Sequence, residues 1–577
     1  MEALSRHRYA GLLLLALCTT LVYARGLGNP FQYDDLHSIV ENPHIRSLGH
    51  IPAFFSRPEM FSADPRNAMY RPLVLVSYAL NHAIGGYEVL GYHLFNLAVH
   101  LGVSGLIWAL ILRLGRGRDE ALLAALLFAL HPLASEPVNY ISSRSETLCV
   151  LFLLLAFYGY VAGGWRWRGI SLAAFGAALL AKSVALALLP LLITCDLWCR
   201  PAAASWRDRW RAYLPYWVLG MGYVVAIRGA ISDAVMVHSV RPLAVQGFTQ
   251  VKALAYYLKL LAWPQGLSVE HQFSLATGLG SGPVLGALVL LATAAGVLCR
   301  WPDGQVRFWT AWALIGLLPS SVVPLNVLVN EHRLYLPLVG FAALVARLLG
   351  GLIENRGRLG EVLVVCWLGG YALHTAQRTQ VWRTPESLWR DAISRGPYMP
   401  RPHLFLGDCL QQAGRYEEAL REYHLTRAVY PAVLSAGDLL ISYNNEGAAY
   451  LALGRRNEAI EAYCRALAID PTYARSRVSL DALVALQQAA WDATAHALHK
   501  KGLMLLVEDR PAEAVPALEA SLRAQVRLET CLALGMACEK SGALARAREL
   551  YGNLRLMAPQ SDFARTAAEK AAALGAR

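Results

Sequence analysis

Two adjacent carboxylates, Asp34 and Asp35, stand in "FQYDDLHSIVENPHIRSL", a few residues past the first apolar segment of the chain. A carboxylate held against a hydroxyl is a general base. A turn or a helix cap would use the same residue types. Adjacent side chains point apart in a strand and lie ~100° apart around a helix, so the two cannot readily serve one atom. One of them would be the base while the other caps or holds a cation. Complementary chemistry recurs further along. In "LLFALHPLASEPVNYISSRSETL", His131 ends an apolar run, Pro132 stops it, and Glu136, Arg144 and Glu146 surround the return to apolar sequence. In "SVVPLNVLVNEHRLYLPLVG", Glu331, His332 and Arg333 are packed between two apolar segments. Guanidinium pairs bidentately with phosphate, so Arg333 beside His332 suits a phosphorylated ligand near lipid headgroups. Lys182, in "LLAKSVAL", either snorkels to the headgroups or binds an anion. The plainer readings are an interfacial anchor, an Arg144–Glu146 ion pair and a snorkelling arginine with its glutamate. Ionisable groups at the ends of apolar spans are costly unless satisfied, which makes them candidates for function.

The elements that must position these residues are membrane helices. Of the 577 residues 56% are hydrophobic and only 16% charged, against about a quarter charged in soluble chains. The net charge of +12 sits largely in short loops between apolar segments, an arrangement that serves membrane orientation rather than nucleic-acid binding. The ten cysteines are scattered, and Cys195 and Cys199 have no matching second pair, so no metal site is expected. About eleven apolar segments approach the ~20 residues that cross a bilayer. They centre near residues 16, 101, 126, 152, 175, 191, 220, 290, 315, 341 and 369, with 249–264 either a further span or an interfacial helix. The first, Tyr9 to Tyr23, reads as an uncleaved span.

Arginine placement orients this set. "SRHR" precedes the first span, and "RLGRGR", "WRWR", "CRPAAASWRDRWR", Arg300 with Arg307, and "RLLGGLIENRGR" fill every second loop. That pattern predicts a cytoplasmic N-terminus. The Asp34–Asp35 loop, the 131–146 loop, the 230–282 region, the Glu331–Arg333 loop and the C-terminal region then share the opposite face.

From about Thr384 the sequence turns to soluble helices with a repeating spacing. Gly407 is followed at +12, +16 and +24 by Ala419, Tyr423 and Pro431, Gly447 by Ala459, Tyr463 and Pro471, and Gly535 by Ala547, Tyr551 and Pro559. A weaker copy has Gly502, Ala514 and Leu518. Small residues admit a close approach of two antiparallel helices, an aromatic fills the groove and proline ends the second helix: the tetratricopeptide pattern. Successive glycines are 40, 55 and 33 residues apart, so two units carry insertions. Such solenoids present extended surfaces to peptides or protein partners. No phosphate loop, nucleophile elbow, zinc motif or dinucleotide fingerprint is present. Any donor must therefore arrive already activated.

The ordered set "YDDLHSIVENPHIRSL", "YRPLVLVSYALNHAIGGYEVLGYHLFNLAVH", "LLFALHPLASEPVNYISSRSETL", "AKSVAL" and "EHRLYLP", followed by the repeats, resembles the transmembrane and tetratricopeptide repeat-containing protein family. That family is similar to the GT-C glycosyltransferases, including protein O-mannosyltransferases. The resemblance implies an all-α polytopic GT-C domain over 1–380 and a repeat domain over 384–577. It implies transfer of a sugar, mannose foremost, from a polyprenyl- or dolichyl-phosphate donor to Ser or Thr hydroxyls of acceptor proteins on the non-cytoplasmic face. That face would be a bacterial periplasm, favoured by the Arg- and Ala-rich composition, or an endoplasmic-reticulum lumen. The base would be one of the aspartate pair, Asp35 before Asp34. Arg333 would bind the departing phosphate, supported by His332 and Glu331, with His131, Glu136, Arg144 and Lys182 lining the carrier site. A divalent cation could take part but would not be required. The family's lysine is followed by an acid, where this chain has Ser183. Two competing expectations remain: the same fold acting on an envelope glycan or lipid, and a non-catalytic membrane scaffold for the repeats.

Overall fold

The structure, a computed structural model, describes residues 8–64, 67–200, 205–228, 242–322, 327–488 and 491–575. Parts of the "SRHR" and "CRPAAAS" arginine loops and of the 230–282 region lie outside the described residues. Every regular element among the described residues is helical. The chain divides into two units, Met1–Gly396 and Pro397–Arg577. Helix Pro385–Arg395, counted with the repeats on sequence, clusters with the first unit.

Among the described residues of the first unit six helices are long and apolar enough to cross a membrane: Tyr9–Gly26, Val89–Arg113, Ile141–Ala162, Gly282–Arg300, Glu331–Gly350 and Arg358–Val381. A seventh span results if Arg118–Ala129 and Pro132–Asn139, bent by 53°, are taken together. The segment near 191 is a shorter apolar helix, Ser183–Trp198. Those near 175, 220 and 315 are helices whose first turns are charged: Arg166 and Arg168, Arg207 with Asp208, and Arg307. Charge at a helix end shortens the apolar length available to hydrocarbon, and with the shorter helix near 191 the eleven apolar segments reduce to six or seven clear candidates. Helix Leu243–Ala262 is not among them.

Buried polar ties, rather than apolar packing alone, align the loops of this unit. His100, in the middle of Val89–Arg113, pairs through Nδ1 with the Tyr335 hydroxyl at 2.7 Å and through Nε2 with the Ala129 carbonyl at 3.1 Å. It thereby joins the segment before His131 to the one after Arg333. The Trp312 indole N–H donates to the Leu336 carbonyl at 3.1 Å, anchoring the same segment from the other side. A Cβ on Gly26 would collide with Asn139 Oδ1 and Thr379 Cγ2. Only glycine lets the end of the first helix pass between two others, and that passage sets where the Asp34–Asp35 loop begins.

In the second unit the glycine–tyrosine spacing has a direct steric meaning. A Cβ on Gly407, Gly447 or Gly535 would lie 2.5–2.9 Å from the ring of Tyr423, Tyr463 or Tyr551. In the weaker copy Leu518 covers Gly502 in the same way. Between the two helices of each copy the chain turns through a left-handed residue seven positions on: Gly414, Gly454 and Gly542, with Asp509 (φ 54°) in the weaker copy.

Candidate functional site

The Asp34–Asp35 loop is held in an unusual local geometry. Tyr33 adopts φ 54°, a left-handed conformation that costs a non-glycine residue of order 1–3 kcal/mol. The residues after the pair wind into a short π turn, Leu36–Val40, closed by the Glu41 N–H on the Leu36 carbonyl at 2.8 Å. These distortions give the two aspartates different environments.

Asp35 is buried. Its Oδ1 accepts from the Ser142 N–H at 2.7 Å and the Ser142 hydroxyl at 2.5 Å, and its Oδ2 accepts from the Gln32 N–H at 3.0 Å. Burial pushes its pKa up to about 7, against the opposing pull of those donors. Asp35 thus fastens the first loop to the loop ahead of Arg144. Asp34 points the other way. Its side chain is 44% exposed, with Oδ1 3.5 Å from His37 Nε2, while its backbone N–H donates to the Tyr140 hydroxyl at 3.1 Å.

Asp34 lines a cavity of about 210 Å³, which also receives Glu136, His332 and Arg333. His332 Nδ1 lies 2.8 Å from Glu136 Oε1, a carboxylate–imidazole pair in which the acid orients the ring. Glu136 Oε2 is buried with no hydrogen-bond partner among the described residues. The Arg333 guanidinium donates to the Leu328 carbonyl at 3.2 Å and the Val327 carbonyl at 2.9 Å, so its own loop holds it in place. Lys182, Arg333 and Arg71 all place positive charge on His332. Tyr33, Tyr140 and Trp389 form an aromatic wall, with Tyr33 5.5 Å from Trp389 and 6.0 Å from Tyr140 between ring centroids. An acceptor hydroxyl beside Asp34 would face a chamber that holds acids, one guanidinium and an aromatic wall, groups able to engage a ring-shaped polar ligand.

The other expected residues lie elsewhere. Arg144 is fully buried and spends its donors on Asn96 Oδ1 (2.7 Å), Ser77 Oγ (3.2 Å), Asn81 Oδ1 (2.7 Å) and the Tyr92 carbonyl (3.0 Å). Phe95, Tyr78 and Tyr92 place ring faces 4.4–5.6 Å from it. It ties helix Arg144–Ala162 to Pro72–Gly85 and Val89–Arg113, and it does not pair with Glu146. Glu146 instead accepts from Lys182 Nζ at 2.5 Å. His131 caps the turn after it, accepting from the Leu133 N–H at 3.2 Å, and packs 4.6 Å from the Tyr371 ring. Glu331 is buried, accepting from the Ser268 N–H and facing His271 Nε2 at 3.2 Å.

Several lining residues were missed from sequence: Tyr33, Tyr140, Asn330, Trp389 and Glu270. Glu270 left a trace, since it is the sole acid between Asp233 and Asp303. The aromatics left none, because membrane chains carry many. Among the described residues no group of three or more His, Cys, Asp or Glu is placed to hold a metal ion.

Fold and site together define a helical, multi-pass membrane protein with a polar cavity at its loop end and a tetratricopeptide unit. Residues 398–472 match the tetratricopeptide repeat family model. Over 71% of its length the chain is similar, at 24% identity, to human protein O-mannosyl-transferase TMTC4. It is 25% identical to the Caenorhabditis elegans protein O-mannosyl-transferase F38B6.6, again over 71% of its length. Over 75% of its length it is 25% identical to Drosophila melanogaster protein O-mannosyl-transferase Tmtc1. The chain spans 61–65% of the length of these relatives. Among solved structures, yeast Tom70 aligns with 82% of this chain and 96% of its own at 10% identity and a TM-score of 0.14, too low to bear on the fold.

Proposed function

We propose that the chain is a glycosyltransferase that moves a sugar, mannose foremost, from a polyprenyl-phosphate donor to hydroxyl groups of proteins on the non-cytoplasmic face. On this reading residues 1–380 form a GT-C domain of about eleven spans. Residues 384–577 recruit the acceptor. The observation that carries it is the convergence of Asp34, Glu136, His332 and Arg333, from three loops remote in sequence, on one cavity. The names of the relatives support the reaction class.

Asp34 is the base in this scheme and Asp35 its positioning neighbour. Asp35 has both carboxylate oxygens engaged and no access to the cavity, whereas the Asp34 carboxylate is open to it. The acceptor oxygen forms its bond to the anomeric carbon as Asp34 takes the hydroxyl proton. The bond from that carbon to the carrier phosphate breaks with inversion, and Arg333 meets the charge left on the phosphate. Glu136 holds His332 beside it. Lys182 with Glu146 supplies positive field from outside the cavity. His131, Arg144 and Glu331 keep the three loops in register.

The test is transfer by the purified chain from polyprenyl-phosphate-mannose and alternative donors to a peptide panel. Asp34→Asn should lose about 10²–10⁴-fold in turnover with unchanged thermal unfolding. Undiminished transfer by that variant would sink the assignment. Transfer only to glycan or lipid acceptors would replace the protein acceptor.

A further inference from the structure

Outside the candidate site, a pocket of the first unit has a lining that is cationic at one end and apolar at the other. Helix Leu243–Ala262 carries Lys252 and Lys259 two turns apart, on one face. Lysine is scarce here: Lys182, Lys252 and Lys259 are the only lysines before residue 500. Lys182 has its glutamate. Lys252 Nζ donates to the carbonyl and, at 3.0 Å, the hydroxyl of Ser274, and lies 4.1 Å from the Phe273 ring centroid. Lys259 Nζ lies 5.6 Å from the Tyr256 ring. Among the described residues neither ammonium has a carboxylate partner, and both line the pocket.

The pocket measures about 380 Å³ and is closed on its far side by Pro283, Gly286, Ala287 and Leu290 of helix Gly282–Arg300. That helix is a candidate membrane span with Leu285, Val289 and Leu290 exposed. Small residues at 286 and 287 open a groove along it, and a Cβ on Gly286 would meet nothing within 4 Å. Lysines that merely snorkel need no such groove and no polar floor. An anion with an apolar tail needs both.

We infer that this pocket binds the phosphate of a membrane lipid, with Lys252 and Lys259 on the phosphate and the lipid tail along the Gly286–Leu290 groove. Basic pockets beside membrane helices are the usual seats of anionic headgroups, each lysine contributing about 1 kcal/mol. The site also touches the machinery of the first unit. The Tyr256 hydroxyl lies 3.1 Å from His271 Nδ1, and His271 Nε2 lies 3.2 Å from Glu331 Oε1, next in sequence to His332. The occupant is either a bilayer phospholipid or a polyprenyl phosphate, and both present the same chemistry to the pocket.

The experiment is equilibrium binding of labelled lipids to the full chain in neutral detergent, with phosphatidylglycerol, a short polyprenyl phosphate, phosphatidylcholine and inorganic phosphate as probes. At least one anionic lipid should bind roughly thirtyfold more tightly than phosphatidylcholine, the worth of two lysines. The tighter of the two anionic lipids identifies the source. K252Q/K259Q should lose that margin and K252R/K259R should keep it. Gly286→Leu fills the open groove without touching the lysines and should weaken lipid binding even if the glutamine variant does not fold. Wild-type affinity in K252Q/K259Q or in Gly286→Leu would overturn the proposal. So would equal affinity for phosphatidylcholine, or displacement by inorganic phosphate at the lipid's own concentration. None of these readouts requires sugar transfer, so failure of the enzymatic reading would leave them standing.

Discussion

The two units use the same charged residue types for opposite purposes. In Met1–Gly396 the pairs that matter are largely buried and join different elements: His332 with Glu136, Lys182 with Glu146, Arg378 with Asp391 at 2.6 Å. In Pro397–Arg577 a large share are exposed neighbours three or four residues apart on one helix, such as Arg465 with Glu461 and Arg546 with Glu549. A buried ion must be matched by a partner or it will not stay charged. An exposed pair is screened and contributes little. Position in the fold, not residue type, therefore decides whether a charge is structural necessity, chemistry or solubility.

The strongest way to break this contrast is to delete one arginine from each unit. Arg144→Ala strands Asn96, Ser77 and Asn81 in a buried site and should cost more than about 3 kcal/mol, seen as loss of folded protein. Arg465→Ala should change the unfolding free energy by less than about 0.5 kcal/mol. Comparable losses would show that burial does not separate the two. Steric contacts should rank next. Gly447→Ala forces a methyl against the Tyr463 ring and should cost about 1–3 kcal/mol, measured by denaturant unfolding of the full chain. Gly26→Ala should cost a similar amount and also shift the Asp34 loop, so transfer activity should fall with stability.

Acid–base linkage gives an effect of the same sign in both units. Unfolded Asp loses its proton near 3.8, whereas burial raises Asp35 to about 7 and Asp408 to about 6. Between those values the folded chain holds a proton that the unfolded chain has released. Stability should therefore fall as pH rises from about 4 through about 7 for Asp35, and through about 6 for Asp408. Asp35→Asn and Asp408→Asn should each flatten that slope in melting curves taken from pH 4 to 8; an unaltered slope would mean the carboxyl does not titrate there. The smallest effect concerns the repeats alone. Asp509 occupies the left-handed turn that glycine fills in the other three copies, so Asp509→Gly should stabilise the chain by about 1 kcal/mol or less, read as a small rise in unfolding midpoint.

Much was legible in one dimension. Apolar segments, alternating arginine loops and the glycine–alanine–tyrosine–proline spacing are local patterns, and local patterns follow from chain periodicity and solvent. The glycine at +7 was equally readable in Gly414, Gly454 and Gly542 and was overlooked because turn residues interrupt the helical period. The site was only half legible. "YDDL", "HPLASEP" and "NEHRL" mark the loops that meet at the cavity, since charge beside apolar sequence is costly wherever it stands. Which member of each motif faces the cavity was not readable. Asp35 and Arg144 look as reactive as Asp34 and Arg333 in sequence, and the count of clear spans changed once helix ends were seen to be charged.

By itself, then, the sequence determined an all-helical chain with a membrane part, a repeat part and three loops rich in acid and base. Tertiary structure decided that Asp34 opens onto the cavity while Asp35 is tied to Ser142, and that Glu136 reaches His332 across 196 positions of chain. Sequence periodicity reports the average environment of a helix face. The direction of one side chain, such as the turn that Tyr33 makes at φ 54°, depends on contacts between segments that periodicity never relates.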